Sequence, residues 1–143
     1  MNKISSSINF CINIAKFQTE LSRRLDAHLN GIGFTEFIIL YHLNQVDTHK
    51  MRRVDLAEKI GLTASGVTRL LLPMEKIGLI KKELNEYDAR VSYVVLAPGG
   101  KTKLTEALER MEIYCEDIIP ANKTNKMKEF SDLLIEIGKN IKQ

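Results

Sequence analysis

Ser65, Gly66, Thr68 and Arg69 stand within five consecutive residues, and further along Asp88 and Arg90 flank a single alanine in a polar stretch. Hydroxyls and guanidiniums in these patterns exchange hydrogen bonds and meet phosphates, but no nucleophile with a base, nucleotide-binding glycine loop or metal-ligand cluster accompanies them. The chemistry is therefore recognition, and no enzyme activity, metal or cofactor is expected. Small side chains at Ser65 and Gly66 would let a helix lie close in a DNA major groove, with Thr68 and Arg69 reaching base edges. Arg90 has a planar, weakly hydrated guanidinium that can enter the narrow, negative minor groove of an A·T tract, with Asp88 holding it extended. A surface ion pair in a turn is the plainer reading of that pair. Arg53, Thr63, Lys82 and Tyr87 complete the candidate DNA-binding set, Arg53 and Tyr87 as backbone contacts.

These residues need elements to position them. Val54–Ile60 reads as a short helix, Gly61-Leu62-Thr63 as a tight turn, and Ala64 onward as a second helix with Thr63 as its N-cap. Val67, Leu70, Leu71 and Met74 recur at i, i+3, i+4 and i+7, which makes one buried stripe and leaves the polar set on the other side. Gly78 suits a left-handed helix end, Leu79–Leu84 and Ser92–Leu96 form a hairpin, and residues 85–90 are turn-prone enough to project as a wing. Met51-Arg52-Arg53 is expected as a very short strand covering the hairpin edge. The order is a winged helix-turn-helix over residues 35–97. The fold class is mainly α with a small β-hairpin wing.

The remainder is helical. Ile8, Cys11, Ile12, Ala15, Leu21, Leu25 and Leu29 follow a helix period that stops at Asn30-Gly31. Thr35 is the expected N-cap of the next helix, with Phe34 stapled onto Ile39. Pro98 can open a further helix, in which Leu104, Leu108, Met111, Cys115 and Ile118 form a seam, and Pro120 ends it. Met127, Phe130, Leu134, Ile137 and Ile141 then form a second seam. A reading head with its own core cannot bury all these stripes. Residues 5–30 and 98–143 are therefore expected to be dimerisation helices of one 1–143 domain, with Ile8, Ile12, Leu108, Met111, Phe130, Leu134, Ile137 and Ile141 at the interface.

Charge supports this division. Residues 50–90 carry nine Lys or Arg against six Asp or Glu, an excess of three that equals the net charge of the whole chain. Positive charge is thus concentrated on the reading head, as phosphate binding requires. Cys11 and Cys115 lie far apart, with no secretory apolar segment and no run long enough to span a bilayer, so a reducing, cytoplasmic setting without membrane association is expected. A winged helix serving only protein or RNA contacts is the competing reading.

The ordered set Gly33-Phe34-Thr35, Asp55-Leu56-Ala57, Leu62-Thr63, Gly66-Val67-Thr68-Arg69-Leu70, Met74–Ile80, Asp88-Ala89-Arg90, Leu96 and Gly100 resembles the MarR family of bacterial transcriptional regulators. The resemblance implies a homodimer on double-stranded DNA, at a near-palindromic operator, with Arg90 in the minor groove. It also implies a repressor released by a small effector, aromatic or anionic, or by a metal or an oxidant. Cys11 is similar in position to the reactive thiol of the family's peroxide sensors, although no nearby cation lowers its pKa, and a small buried core residue is the alternative. His28, His42 and His49 lack ligand spacing on one helix face, so no metal site is assigned. Three departures stand out: Leu96-Ala97 lacks the usual threonine cap, Arg53 occupies a capping position, and Pro73 should bend the recognition helix near Arg69–Leu72.

Overall fold

The structure, a computed structural model, describes residues 3–141, so positions 1, 2, 142 and 143 of the expected domain lie outside the described residues. In chain order the elements are α1 (Ser6–His28), α2 (Phe34–Gln45), β1 (Lys50–Arg52), α3 (Arg53–Ile60) and α4 (Ala64–Lys76). There follow β2 (Ile80–Leu84), β3 (Ser92–Leu96), α5 (Pro98–Ile118), a 3-10 turn (Ala121–Lys123) and α6 (Thr124–Ile141). The chain falls into two compact units, Met1–Leu108 and Glu109–Gln143. The division runs inside α5, whose residues Gly100, Leu104 and Ala107 are buried.

The first unit is organised around α2. Phe37, Ile39, Leu40 and Leu43 are buried there, and Leu25, Leu29, Leu56, Val67 and Met74 from neighbouring elements join them in the core. Each removes a whole aliphatic or aromatic side chain from water, worth about 1.5–3 kcal/mol apiece. The cap of α2 differs from expectation. The helix begins one residue before Thr35, at Phe34; Gly33 N–H donates to Glu36 Oε1 at 3.2 Å and Phe34 N–H donates to Asp26 Oδ1 at 2.8 Å. Two carboxylates do what a threonine hydroxyl would have done. Phe34 stacks on Phe37, the ring centroids being 6.2 Å apart.

Tight ends then fold the reading head. Gly61 is left-handed at φ 74°, and Leu62 N–H donates to Ala57 O at 3.0 Å, which closes α3 and turns the chain into α4. Gly78 closes α4 in the same way, at φ 81°. Between them α4 runs unbroken through Pro73 to Lys76. Pro73 and Arg69 are both exposed, so the Arg69 carbonyl that lacks a donor can take one from water. The sheet order is β1-β3-β2, all antiparallel, with Arg52 opposite Tyr93 and Lys82 opposite Val94. The short first strand does cover the hairpin edge, but it starts and ends one residue earlier than expected, so Arg53 opens α3.

The α5 start explains a glycine. Ala97, buried, donates its N–H to Leu79 O at 3.1 Å and accepts from Lys101 N–H at 3.0 Å, so the helix begins without a side-chain cap. A Cβ on Gly100 would overlap that same Leu79 carbonyl and the Leu96 side chain. Only a residue without Cβ lets α5 meet the root of the hairpin this closely. We expect Gly100→Ala to lower unfolding stability by about 1–3 kcal/mol, the range of overpacking substitutions. An unchanged midpoint in urea would show that the close approach is not constrained.

Candidate nucleic-acid interface

The local sequence positions the recognition helix first. Thr63 Oγ1 accepts from Gly66 N–H at 3.1 Å, and Val67, Leu71 and Met74 are buried beneath, with Leu70 half-buried. A Cβ on Gly66 would stand 3.1 Å from the Thr63 hydroxyl, so this glycine serves the cap as well as a thin helix surface. Ser65 and Arg69 are exposed, as expected of reading residues. Thr68 is not. It is half-buried, donates its hydroxyl to Ala64 O at 3.0 Å and accepts from Arg53 Nη1 at 3.0 Å.

Arg53 corrects a second expectation. It is the first residue of α3, with no side-chain cap there, and its guanidinium forks to Thr68 and, at 3.2 Å, to Ser92 Oγ. Two of its nitrogens thus donate inside the reading head. Sequence alone could not reveal this, since Thr68 and Ser92 lie 15 and 39 residues away.

The wing is built from Asn85, a residue that sequence reasoning placed only in a turn-prone stretch. Asn85 Oδ1 accepts from Tyr87 N–H at 2.8 Å and Asp88 N–H at 3.1 Å, while its Nδ2 donates to Tyr93 OH at 3.1 Å. An asparagine side chain can thereby replace a backbone turn. Below it, Lys50 Nζ lies 2.9 Å from Glu83 Oε1 and 4.9 Å from the Tyr93 ring centroid, which ties β1 to the hairpin. Tyr87 is 92% exposed at the wing tip.

Asp88 and Arg90 form a two-point pair. Asp88 Oδ1 accepts from Arg90 Nε at 3.1 Å and from its backbone N–H at 3.0 Å, and Oδ2 accepts from Nη2 at 3.3 Å. The Arg90 side chain stays 91% exposed. The side-chain hydrogen bond from Arg90, then the backbone one, holds the Asp88 carboxyl below the usual aspartate value.

Two cavities of about 430 Å³ each flank the Arg53 fork. One brings Arg53, Ser65, Thr68 and Arg90 together with Arg52, whose Nε pairs with Asp55 at 3.1 Å. Lys82 belongs to the other, with Leu71, Glu75 and Tyr93. Arg69 and Tyr87 lie outside both.

Residues 34–92 match the model of the MarR family. That segment, 59 of the 143 residues, is similar to the MarR family. Its fold matches the organohalide-sensing regulator RdhR in its 2,4-dichlorophenol-bound form, with a TM-score of 0.84 at 18% identity, covering 96% of this chain and 82% of that one. It also matches a mutant MarR from E. coli complexed with operator DNA, with a TM-score of 0.77 at 16% identity, covering 94% and 99%. The HTH-type transcriptional regulator YdgJ of Bacillus subtilis is 21% identical over 103 residues, 72% of this chain. The chain spans 60–66% of the length of the curated regulators it matches.

Other expected sites are placed as follows. Cys11 is exposed on α1 beside Ile8, Ile12 and Ala15, so the buried-core reading of it does not hold within the single chain. Cys115 is half-buried, and that burial, with Glu112 nearby, raises its thiol pKa. Burial, aided by Lys59, lowers the pKa of His42. Among the described residues no group of three or more His, Cys, Asp or Glu could hold a metal ion, and no helix is long and apolar enough to cross a membrane.

The depressed Asp88 value carries a sign. The pair contributes to wing order above the ordinary carboxylate value of 3.8, and the contribution is lost only as pH falls through the lower folded value. We expect the Arg90 Nε–H resonance to be unchanged from pH 8 to pH 5 and to shift only below about pH 4. A midpoint above about 4 would contradict the pairing.

Proposed function

We propose that the chain is a sequence-specific DNA-binding transcriptional regulator, acting as a homodimer on a near-palindromic operator. The observation that carries the reading is the shared cavity. Ser65 at the start of α4 and Arg90 at the end of the wing line one cleft with Arg52 and Arg53, so the helix and the wing present hydrogen-bonding and cationic groups to one ligand. Duplex DNA fits that arrangement: α4 supplies exposed Ser65 and Arg69 to base edges, Arg90 reaches the adjacent minor groove, and Arg52 faces the backbone between them. Tyr87 contacts a sugar-phosphate from the wing tip, and Lys82 adds charge from β2.

Dimerisation is supported by what the chain leaves uncovered. On α1, Ile8 and Ile12 are each more than half exposed. On α6, Phe130, Leu134 and Ile141 are exposed, Ile137 is half-buried, and no described residue of the helix is fully buried. With Leu108 and half-buried Met111, these faces are apolar surface that a second copy would cover. The dimer spaces two recognition helices by about one DNA turn, roughly 34 Å. Repression relieved by a small aromatic or anionic effector fits this lever, because a ligand favouring a wrongly spaced dimer releases the operator. RdhR with 2,4-dichlorophenol bound is a structural neighbour that takes a ligand of that kind.

Selection from a random duplex library tests the reading. The protein should enrich a near-palindrome whose half-sites lie one turn apart and bind it about a thousandfold or more tighter than random duplex. Arg90→Ala should weaken operator binding about 10- to 100-fold and reduce the salt slope by about one phosphate, leaving the dimer intact. Leu134→Glu should dissociate the dimer in light scattering and abolish tight binding. Equal affinity for all duplexes would favour a module for protein contact.

A further inference from the structure

We infer that Arg53 is a positioning residue that locks the recognition helix to the wing root, so that α4 and Arg90 engage a duplex as one rigid reader. The inference rests on the DNA-binding reading above and goes beyond it by assigning a specificity role to a residue outside both the reading helix and the wing.

The geometry is a three-element tie. Arg53 opens α3, Thr68 lies in the second turn of α4, and Ser92 is the first residue of β3, directly after the wing turn. Nη1 donates to Thr68 Oγ1 at 3.0 Å and Nη2 to Ser92 Oγ at 3.2 Å. Thr68 is itself held, its hydroxyl donating to Ala64 O at 3.0 Å, so the guanidinium is referenced to the first turn of α4. Arg69 follows Thr68 directly, and Arg90 stands two residues before Ser92. Arg53, Thr68 and Ser92 line both cavities, so the fork is the partition between them.

The alternative anchors of the hairpin lie elsewhere. Ile80, Val94 and Leu96 bury the base of the sheet, and Lys50 with Glu83 braces its far strand. Neither sets the distance from the wing turn to the exposed face of α4. β1 pairs with β3 only as far as Arg52 opposite Tyr93; beyond that pair the two hairpin strands twist more readily, and a polar tie at Ser92 fixes the angle of the wing. The planar fork of arginine suits the task, because two hydroxyls on different elements are met by two nitrogens of fixed separation. A lysine ammonium in its place keeps the charge but is a single point on a flexible stem. Among the described residues no carboxylate pairs with Arg53, so its charge also remains available to the long-range field of the cleft.

The test compares Arg53→Lys, Arg53→Ala, Thr68→Val and Thr68→Ser in the full chain. In the free protein, hydrogen exchange of the wing amides of residues 85–91 should quicken about tenfold in Arg53→Lys, Arg53→Ala and Thr68→Val, but not in Thr68→Ser, which keeps the hydroxyl. Unchanged exchange in all four overturns the tie, whether or not the protein binds DNA. On the selected duplex, Arg53→Lys should lose about tenfold in affinity while its salt slope, set by the retained charge, stays near wild type. The loss from Arg90→Ala should also shrink in the Arg53→Ala background, because a wing already adrift has less to lose. Wild-type affinity in Arg53→Lys, with the Arg53→Ala and Arg90→Ala losses simply multiplying, would make Arg53 an independent phosphate contact and overturn the inference. A wild-type protein with no duplex preference would refute the DNA-binding reading, while the exchange measurement still decides the tie.

Discussion

Burial of Val67, Leu71 and Met74 fixes the rotation of α4 about its own axis, and the rest of the reading surface depends on that phase. A helix turned by one residue would swing its solvent face through about 100°. With these three apolar side chains inside, Ser65 and Arg69 must face outward, and Thr68 must sit at the border where Arg53 can reach it. The driving force is non-directional burial; the directional result comes from the spacing of the buried residues along a helix. The Thr63 cap then fixes where the helix starts, and with it how far Ser65 projects.

The wing obeys a different physics. It has no core of its own, and Leu84 and Tyr87 are exposed. Its shape is set by hydrogen bonds: Asn85 folds the turn, Tyr93 holds Asn85, Asp88 grips Arg90, and Arg53 ties Ser92 to α4. These ties lie outside the hydrophobic core, so the wing's order depends on a few named polar contacts. The hydrophobic head therefore sets the phase of α4, and the polar ties hold the wing against it.

Much of this was legible from sequence where one element decides. The α4 stripe repeats at helical spacing, Gly61 and Gly78 mark left-handed ends, and the hairpin strands fall where the apolar runs lie between turn residues, within a residue of their observed bounds. Asp88 and Arg90 are two residues apart, so their pairing is a local property. What was not legible depends on contacts between distant segments. Thr68 reads as a groove-facing polar residue until Arg53, from another helix, claims its hydroxyl. Thr35 reads as a cap until Glu36 and Asp26 take the free amides instead.

The central claim is that the start of α4 and the wing form one recognition surface. Hydrogen exchange across the whole chain, followed while a selected duplex is titrated in, measures this most directly. Protection should develop at residues 64–69 and 85–91 together, with one midpoint, while the core amides of α2 remain unchanged. Protection of one segment without the other, or protection confined to the exposed faces of α1 and α6, would contradict it.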